Sequence, residues 1–370
     1  MLYLHIPFCH RKCTYCAFYS AVTSGSKQPY VDALCRELEL RRAEQPHPLR
    51  TVYFGGGTPS LLSLDQLRQL VDTIARCFDL SLLQEVTLEA NPEDLTPAFL
   101  QGLIGMHFFN RLSIGVQSFF DDDLHLLNRR HSAQQSLQAV QAAAEAGFGN
   151  ISLDLIYGLP GQTLARWQAN LEQLSALPVS HLSAYALTVE EGTILHRQVA
   201  QGRLLPADEE TVLAHYQALL QWASQAGFEQ YEISNFCRPG CRSRHNSHYW
   251  DRTPYLGVGA AAHSFSGSCR RWNVADVGQY VAAVGNPPHE EELLTPTDAY
   301  NELVMTSLRT VEGIAKERVE PPFLDHLSRA IARFVSAGLI QETPTHFRPT
   351  PAGLLQADGI AADLMALPSR

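Results

Sequence analysis

Along the first half of the chain, short apolar runs rich in β-branched and aromatic residues recur. Each leads through a loop into a stretch whose apolar positions fall three and four apart. The runs predict strands at Leu2–Ile6, Thr51–Phe54, Glu85–Ala90, Arg111–Val116, Ile151–Ile156 and His181–Leu187. The helical patterns between them are Tyr30–Glu44, Leu64–Phe78, Pro97–Met106, Ala133–Ala146 and Leu164–Leu177. Strands alternating with helices build parallel βαβ units. Six such units predict an α/β fold, an incomplete TIM-like (β/α)6 barrel open on one side. Functional residues should then gather at the C-terminal ends of the strands.

The barrel is expected over residues 1–230 and an extension over 231–295. Asn286-Pro287-Pro288-His289 with Glu290-Glu291-Glu292 reads as a polar linker, and a smaller domain follows at 296–370. Helical patterns at Asp298–Val311 and Phe323–Ala337, a hairpin from Leu339–Glu342 and Phe347–Thr350, and a terminal helix from Pro351 predict a winged-helix-like module. Such modules often bind DNA. This one carries seven Lys and Arg against nine Asp and Glu, a net charge of −2, and so reads as a cap or protein-docking surface.

Charge over the whole chain agrees. With 28 basic and 38 acidic residues the formal charge is −10, which disfavours nucleic acid as a partner and membrane attachment through a basic patch. No run is long and apolar enough to span a bilayer. A cysteine loop occupies the place of a signal peptide's apolar region, so no cleavable leader is expected. Of eight cysteines, three cluster at the start and the rest are scattered, a pattern that fits metal ligation in a reducing compartment. The cytoplasm is the expected location.

The chemistry centres on Cys9, Cys13 and Cys16, at C-x3-C-x2-C spacing directly after the first strand. Three ligands are the informative number. A structural zinc or a closed cubane takes four protein ligands, whereas three on a [4Fe–4S] cluster leave one iron open. A zinc loop is the plainer alternative, but no second Cys/His pair at short spacing follows. Further candidates sit where the strands end. Gly55-Gly56-Gly57-Thr58 can expose backbone N–H groups to a carboxylate or phosphate, or be a simple turn. Glu89 and Gln117 close the third and fourth strands, with Arg129 and His131 just beyond. Asp154 lies in an apolar strand, where a carboxylate needs a partner.

The cysteine triplet is that of the radical S-adenosylmethionine (radical SAM) enzymes. Its long form, Tyr3-x-His5-Ile6-Pro7-Phe8-Cys9, resembles the branch that holds the oxygen-independent coproporphyrinogen dehydrogenases and the related heme chaperones. The resemblance covers nearly the whole chain. It implies a [4Fe–4S] cluster on Cys9, Cys13 and Cys16, with SAM chelated at the open iron. Tyr3 and Tyr15 would flank cluster and SAM. Gly56, Gly57 and Thr58 would form the glycine-rich SAM motif, and Glu89, Gln117, Arg129 and Asp154 the polar contacts.

Two departures separate the chain from the dehydrogenases. They extend the triplet to C-x3-C-x2-C-x-C, where this chain has Phe18, and they carry an N-terminal arm before the motif, where Cys9 here stands near the start. Both point to the chaperone branch. His245-Asn246-x-x-Tyr249-Trp250 is similar to that branch's heme motif, which implies heme contacts from His245, Asn246, Tyr249 and Trp250. An imidazole can ligate heme iron and aromatic faces can pack on the macrocycle. The same residues also suit core anchors, and His248, His263, Cys237 and Cys241 are competing ligands. Ala260-Ala261 replaces the Pro-Gly usual before His263. The resemblance implies heme and apo-hemoprotein acceptors as partners, with room for a homodimer and for membrane contact through partner proteins. Decarboxylation of coproporphyrinogen III, or another radical SAM reaction on a tetrapyrrole, is the enzymatic alternative.

Overall fold

The computed structural model describes residues 1–22, 25 and 27–367. Its main sheet contains β1 (Leu2–Ile6), β2 (Thr51–Gly56), β3 (Glu85–Ala90), β4 (Arg111–Gln117), β5 (Ile151–Tyr157), β6 (His181–Ala186), β7 (Glu229–Gln230), β8 (Asn235–Cys237) and β9 (Leu256–Val258). The order is β9-β1-β2-β3-β4-β5-β6-β8-β7, parallel from β9 to β6 and antiparallel beyond. The six expected strands lie where the sequence places them, within two residues at each end. The sheet's two edges do not pair with each other, so the barrel is open.

Side-chain alternation explains why the sheet curls in this way. One face carries Leu2, Leu4, Val52, Phe54, Val86, Leu88, Leu112, Ile114, Leu153 and Leu155, all buried in a single apolar cluster with the helices. The other face carries Tyr3, His5, Thr51, Tyr53, Glu85, Thr87, Glu89, Arg111, Ser113, Ser152, Asp154, His181 and Ser183, and it encloses a polar lumen. These groups satisfy one another. Ser152 Oγ lies 2.7 Å from His181 Nδ1, and His181 Nε2 lies 2.7 Å from the Tyr231 hydroxyl. The covering helices begin at side-chain caps. Ser63 and Ser132 form capping boxes, and Thr96, Thr163 and Asp208 each accept from a backbone N–H.

The 231–295 stretch is not a separate extension. It supplies β8 and β9 to opposite edges of the barrel sheet, and such short strands carry little periodic signal. The expected linker is also corrected: His289–Leu293 is a strand, paired antiparallel with Cys269–Asn273 beside His263–Phe265. Arg270 and Arg271 stand opposite Glu292 and Glu291 there, so the acidic run is the partner of a basic strand.

One buried carboxylate fastens this region to the barrel. Glu37, on the helix Gln28–Arg41, accepts from Arg41 Nη1 at 2.8 Å, Asn273 Nδ2 at 2.8 Å, the Gly259 N–H at 2.9 Å and the Tyr280 hydroxyl at 2.6 Å. Four donors offset its desolvation. The C-terminal domain has helices Pro296–Ser307, Pro321–Ser336 and Ala357–Leu364, and a three-stranded sheet of Ile314–Ala315, Ile340–Glu342 and His346–Pro349 around its own apolar core. It docks through the Ile233–Arg309 and Val311–Tyr231 backbone bonds and through Glu302, which pairs with Arg252 and Arg270. Glu37→Ala removes the buried acceptor shared by Arg41, Asn273, Gly259 and Tyr280, while Arg41 keeps Glu44, the Gly257 carbonyl and Ser264. It is expected to cost about 3 kcal/mol in chemical denaturation. A loss under 1 kcal/mol would show that Glu37 is not the fastening point.

Candidate functional site

The cysteine loop leaves β1 and crosses the C-terminal ends of the strands. It is held there by backbone bonds from Ala21 to Pro7, from Thr14 to Leu127 and from Leu195 to Thr14, and by the Gly57 N–H donating to Ile6. Cys9, Cys13 and Cys16 are all free and partly exposed. Two of the sulfurs already accept hydrogen bonds. Thr58 Oγ1 donates to Cys9 Sγ at 3.7 Å and Arg129 Nη1 donates to Cys13 Sγ at 3.4 Å.

The glycine run brings strand and cysteine loop close together. Gly56 has φ +109°, and a Cβ there would lie 2.6 Å from the His5 ring. At Gly57 a Cβ would lie 2.7 Å from the backbone of Pro7 and Phe8. These glycines therefore let strand and cysteine loop approach each other. The Gly56 N–H donates to Glu89 Oε2 at 3.1 Å, and Tyr53 donates to Glu89 Oε1 at 2.7 Å.

Arg129 is the hub of the rim. Its Nη2 donates to Asn91 Oδ1 at 2.6 Å and to the Gly115 carbonyl at 2.7 Å, while Asn91 Nδ2 donates to Thr58 Oγ1 at 3.2 Å. Burial opposes the charge on Arg129, but Tyr15 and Cys13 beside it raise its pKa still further. Gln117 sits at φ 67°, where the β4–β5 register shifts, and this left-handed turn swings its amide into the rim. A Cβ at Gly115 would lie 2.9 Å from that amide and 3.2 Å from Arg129 Nη2. Tyr15 lies near Arg129, Cys13 and Asp154, and burial raises its hydroxyl's pKa. Tyr3 lies within the lumen, its ring 6.2 Å from that of Tyr53 and its hydroxyl 2.9 Å from His5 Nδ1. Asn91, Tyr53 and Arg111 join the constellation without having been singled out in the sequence. The period-two alternation that places Tyr53 and Arg111 beside Glu89 and Asp154 was the available signal.

Two carboxylates at this rim resist ionisation. Burial pushes Glu89 up to about 7, against the Tyr53 hydrogen bond and with the charge of Asp154 adding to the rise. Burial pushes Asp154 up to about 6, against Ser183 and Arg111. Such a pair is poised to receive a cation. The thiols of Cys9 and Cys16 are also raised by burial. Iron would take the place of their protons. Among the described residues, no three His, Cys, Asp or Glu converge on a single-ion site. A cubane gives each thiolate its own iron, so three thiols on one loop beside hydrogen-bond donors fit a [4Fe–4S] cluster.

The heme motif lies elsewhere. His245 is fully buried, with Nδ1 2.8 Å from Thr51 Oγ1 and Nε2 3.0 Å from the Tyr249 hydroxyl. Its backbone N–H donates to Glu85. Thr51 and Glu85 open β2 and β3, so the helix Arg244–Trp250 plugs the barrel's N-terminal end, opposite the cysteines. Asn246 receives the helix cap from Ser243, Tyr249 packs edge-on against Tyr255, and Trp250 lies under Arg309 of the C-terminal domain. His245 itself is enclosed in this arrangement, whereas Asn246, Tyr249 and Trp250 are partly exposed. For His245 to meet an iron, the helix would have to leave the sheet. Of the competing thiols, Cys237 is buried in β8 and Cys241 is partly exposed.

His245→Ala removes a buried bridge and leaves Thr51 and Tyr249 unpaired, and is expected to lower unfolding free energy by about 3 kcal/mol. Wild-type stability in that variant would refute the plug. Glu89 has a folded pKa of about 7, above its ordinary 4.5, so the folded chain holds the extra proton and loses stability as pH rises through that window. The melting temperature of the wild-type apoprotein is therefore expected to fall more between pH 5 and pH 8 than that of Glu89→Gln. Parallel pH profiles would count against the burial of a protonated Glu89.

Residues 3–174 match the model of the Radical SAM superfamily, and residues 294–355 match that of the HemN C-terminal domain. The chain is 35% identical over 323 residues to "Heme chaperone HemW" of Lactococcus lactis subsp. lactis, covering 87% of this chain and 84% of that protein. It is 36% identical over 363 residues to "Heme chaperone HemW" of Bacillus subtilis, covering 95% and 96%. Among solved structures, the coproporphyrinogen III oxidase HemN from Escherichia coli, a radical SAM enzyme, superposes with a TM-score of 0.84 at 25% identity, over 99% of this chain and 89% of that one. With the three-cysteine loop on the rim of an open parallel barrel and likeness to these chaperones over most of both lengths, the chain belongs to the HemW heme chaperone family of the radical SAM superfamily.

Proposed function

We propose that the protein is a heme chaperone that binds a [4Fe–4S] cluster, SAM and heme, and delivers heme to apo-hemoproteins. Cys9, Cys13 and Cys16 would hold the cluster, whose open iron, when present, chelates the amino and carboxylate groups of SAM. Glu89 and Asp154 would ionise against the cationic groups of SAM, while Arg129, Gln117 and Thr58 orient the rim and Tyr15 covers it.

Phe18 carries the choice between heme delivery and decarboxylation. The coproporphyrinogen dehydrogenases that this chain resembles place a fourth cysteine two residues beyond the third. Here that residue is Phe18, with 75% of its surface exposed. The fold does not discriminate, because both activities use it. We place the protein in the cytoplasm. No helix among the described residues is long and apolar enough to cross a membrane, and the net charge is −10. Any membrane contact would run through a partner protein.

The test is anaerobic. Cluster-reconstituted, reduced protein is incubated separately with coproporphyrinogen III and SAM, and with heme. Stoichiometric heme binding without protoporphyrinogen, followed by transfer to an apo-hemoprotein, is the expected outcome. Catalytic formation of protoporphyrinogen together with 5′-deoxyadenosine would overturn it and establish the decarboxylase.

A further inference from the structure

Asn91 is the first residue after β3, and the Pro92 that follows confines its backbone to the extended region, where it sits at φ −92° and ψ 149°. Its N–H donates to Ser60 Oγ at 3.3 Å, and Ser60 in turn donates to Asp94 Oδ2 at 2.7 Å. The main chain is thus pinned at the rim. From there the side chain reaches between the two groups that donate to cysteine sulfurs, Thr58 and Arg129.

Which atoms donate along this path follows from what each group can do. A guanidinium only donates, so the Asn91 atom that meets Arg129 Nη2 at 2.6 Å is the amide oxygen. The NH2 end is then turned to Thr58 Oγ1, at 3.2 Å. An amide nitrogen has only protons to offer, so Thr58 accepts there and its single proton is left for another acceptor. That acceptor is Cys9 Sγ, at 3.7 Å. At the other end the planar guanidinium is fixed by Asn91 and by the Gly115 carbonyl at 2.7 Å, which holds Nη1 3.4 Å from Cys13 Sγ. One amide therefore directs a donor at each of two sulfurs. Ser20 gives Cys9 a further hydrogen bond and the Phe18 N–H gives Cys16 one, and neither passes through Asn91.

Hydrogen bonds to the sulfurs of an iron–sulfur cluster favour its more negative, reduced state and so raise its potential. Resting on the [4Fe–4S] reading above, we propose that Asn91 is a positioning residue that holds the cluster's reduction potential up by orienting Thr58 toward Cys9 and Arg129 toward Cys13. Its effect passes through these two neighbours. Asn91→Asp exposes the logic. It keeps an oxygen for Arg129 but puts a second oxygen opposite Thr58, so the hydroxyl proton turns from Cys9 to the carboxylate.

The test is a potentiometric titration of the full-length, cluster-reconstituted protein, followed by electron paramagnetic resonance of the reduced cluster. Asn91→Asp is expected to shift the midpoint negative, lowering the reduced-to-oxidised ratio at a fixed poise by about tenfold, which is about 59 mV for one electron. Asn91→Ala adds no charge and should shift it the same way by less. In a Thr58→Val background the hydroxyl proton is already gone, so Asn91→Asp should shift the midpoint less than it does in the wild type. A wild-type midpoint in Asn91→Ala would overturn the proposal. So would full additivity of Asn91→Asp and Thr58→Val, which would leave only the added charge as the cause. Loss of the cluster from both Asn91 variants, with the fold intact by circular dichroism, would also overturn it, because Asn91 would then retain the cluster and not tune it. In each of these cases the cluster of the wild type leaves the [4Fe–4S] reading standing. A wild-type chain that assembles no such cluster would overturn both.

Discussion

Everything at the functional end depends on a sheet whose two faces have opposite chemistry. Outward-facing Leu, Val, Ile and Phe bind the strands to their helices, while the inward positions enclose Glu85, Glu89, Arg111, Asp154, His181 and His245. A polar lumen is stable only if its groups satisfy one another, since an unpaired buried polar group costs about 1 to 3 kcal/mol. Arg111 shows how close this balance runs. It is almost wholly buried, and its Nε and Nη1 have no hydrogen-bond partner among the described residues. Its charge bears on Asp154 and Glu89, holding both below where burial alone would put them. The lumen thus supplies carboxylates whose ionisation burial resists and a nearby cation would favour.

The cysteine loop uses the same economy. Its sulfurs are partly exposed, yet Thr58 and Arg129 already direct donors at two of them. The groups that would steady a thiolate are thus in place without any metal, and binding has less ordering to do. Arg129 joins Asn91, the Gly115 carbonyl and Cys13, so the third, fourth and first strands meet at one guanidinium. Its planar fork makes these contacts at fixed angles, as a lysine could not.

Much of this was legible in the sequence because regular alternation is a strong local signal. The six long strands, the cysteine spacing and the rim positions Glu89, Gln117 and Asp154 all follow from periodicity and motif. What escaped was set by distant partners. Asn235–Cys237 and Leu256–Val258 are three-residue strands whose pairing to the barrel depends on strands more than 50 residues away in sequence. Glu290-Glu291-Glu292 looked like a linker because its complement, Arg270-Arg271, lies on another strand. That Gly56 and Gly57 pack against His5 and Pro7 is something only the folded contact reveals. For His245 the bland alternative of a core anchor describes the geometry, since a motif records residue types and not which end of a barrel they occupy.

Two histidines stand in opposite environments. His245 joins the start of β2 to the helix Arg244–Trp250, and through Trp250 and Arg309 to the C-terminal domain, so it transmits position between modules. His263 lies where the chain folds back beside β9, is exposed, and has no ring hydrogen bond among the described residues. A buried imidazole with two hydrogen bonds must give up at least one of them to ligate a metal, whereas an exposed imidazole gives up only water. Ligand exchange is what a carrier must do repeatedly. A group whose free state is already stable in solvent can release its cargo without leaving an orphaned buried nitrogen behind. On that argument an exposed imidazole suits ligand exchange better than a buried one.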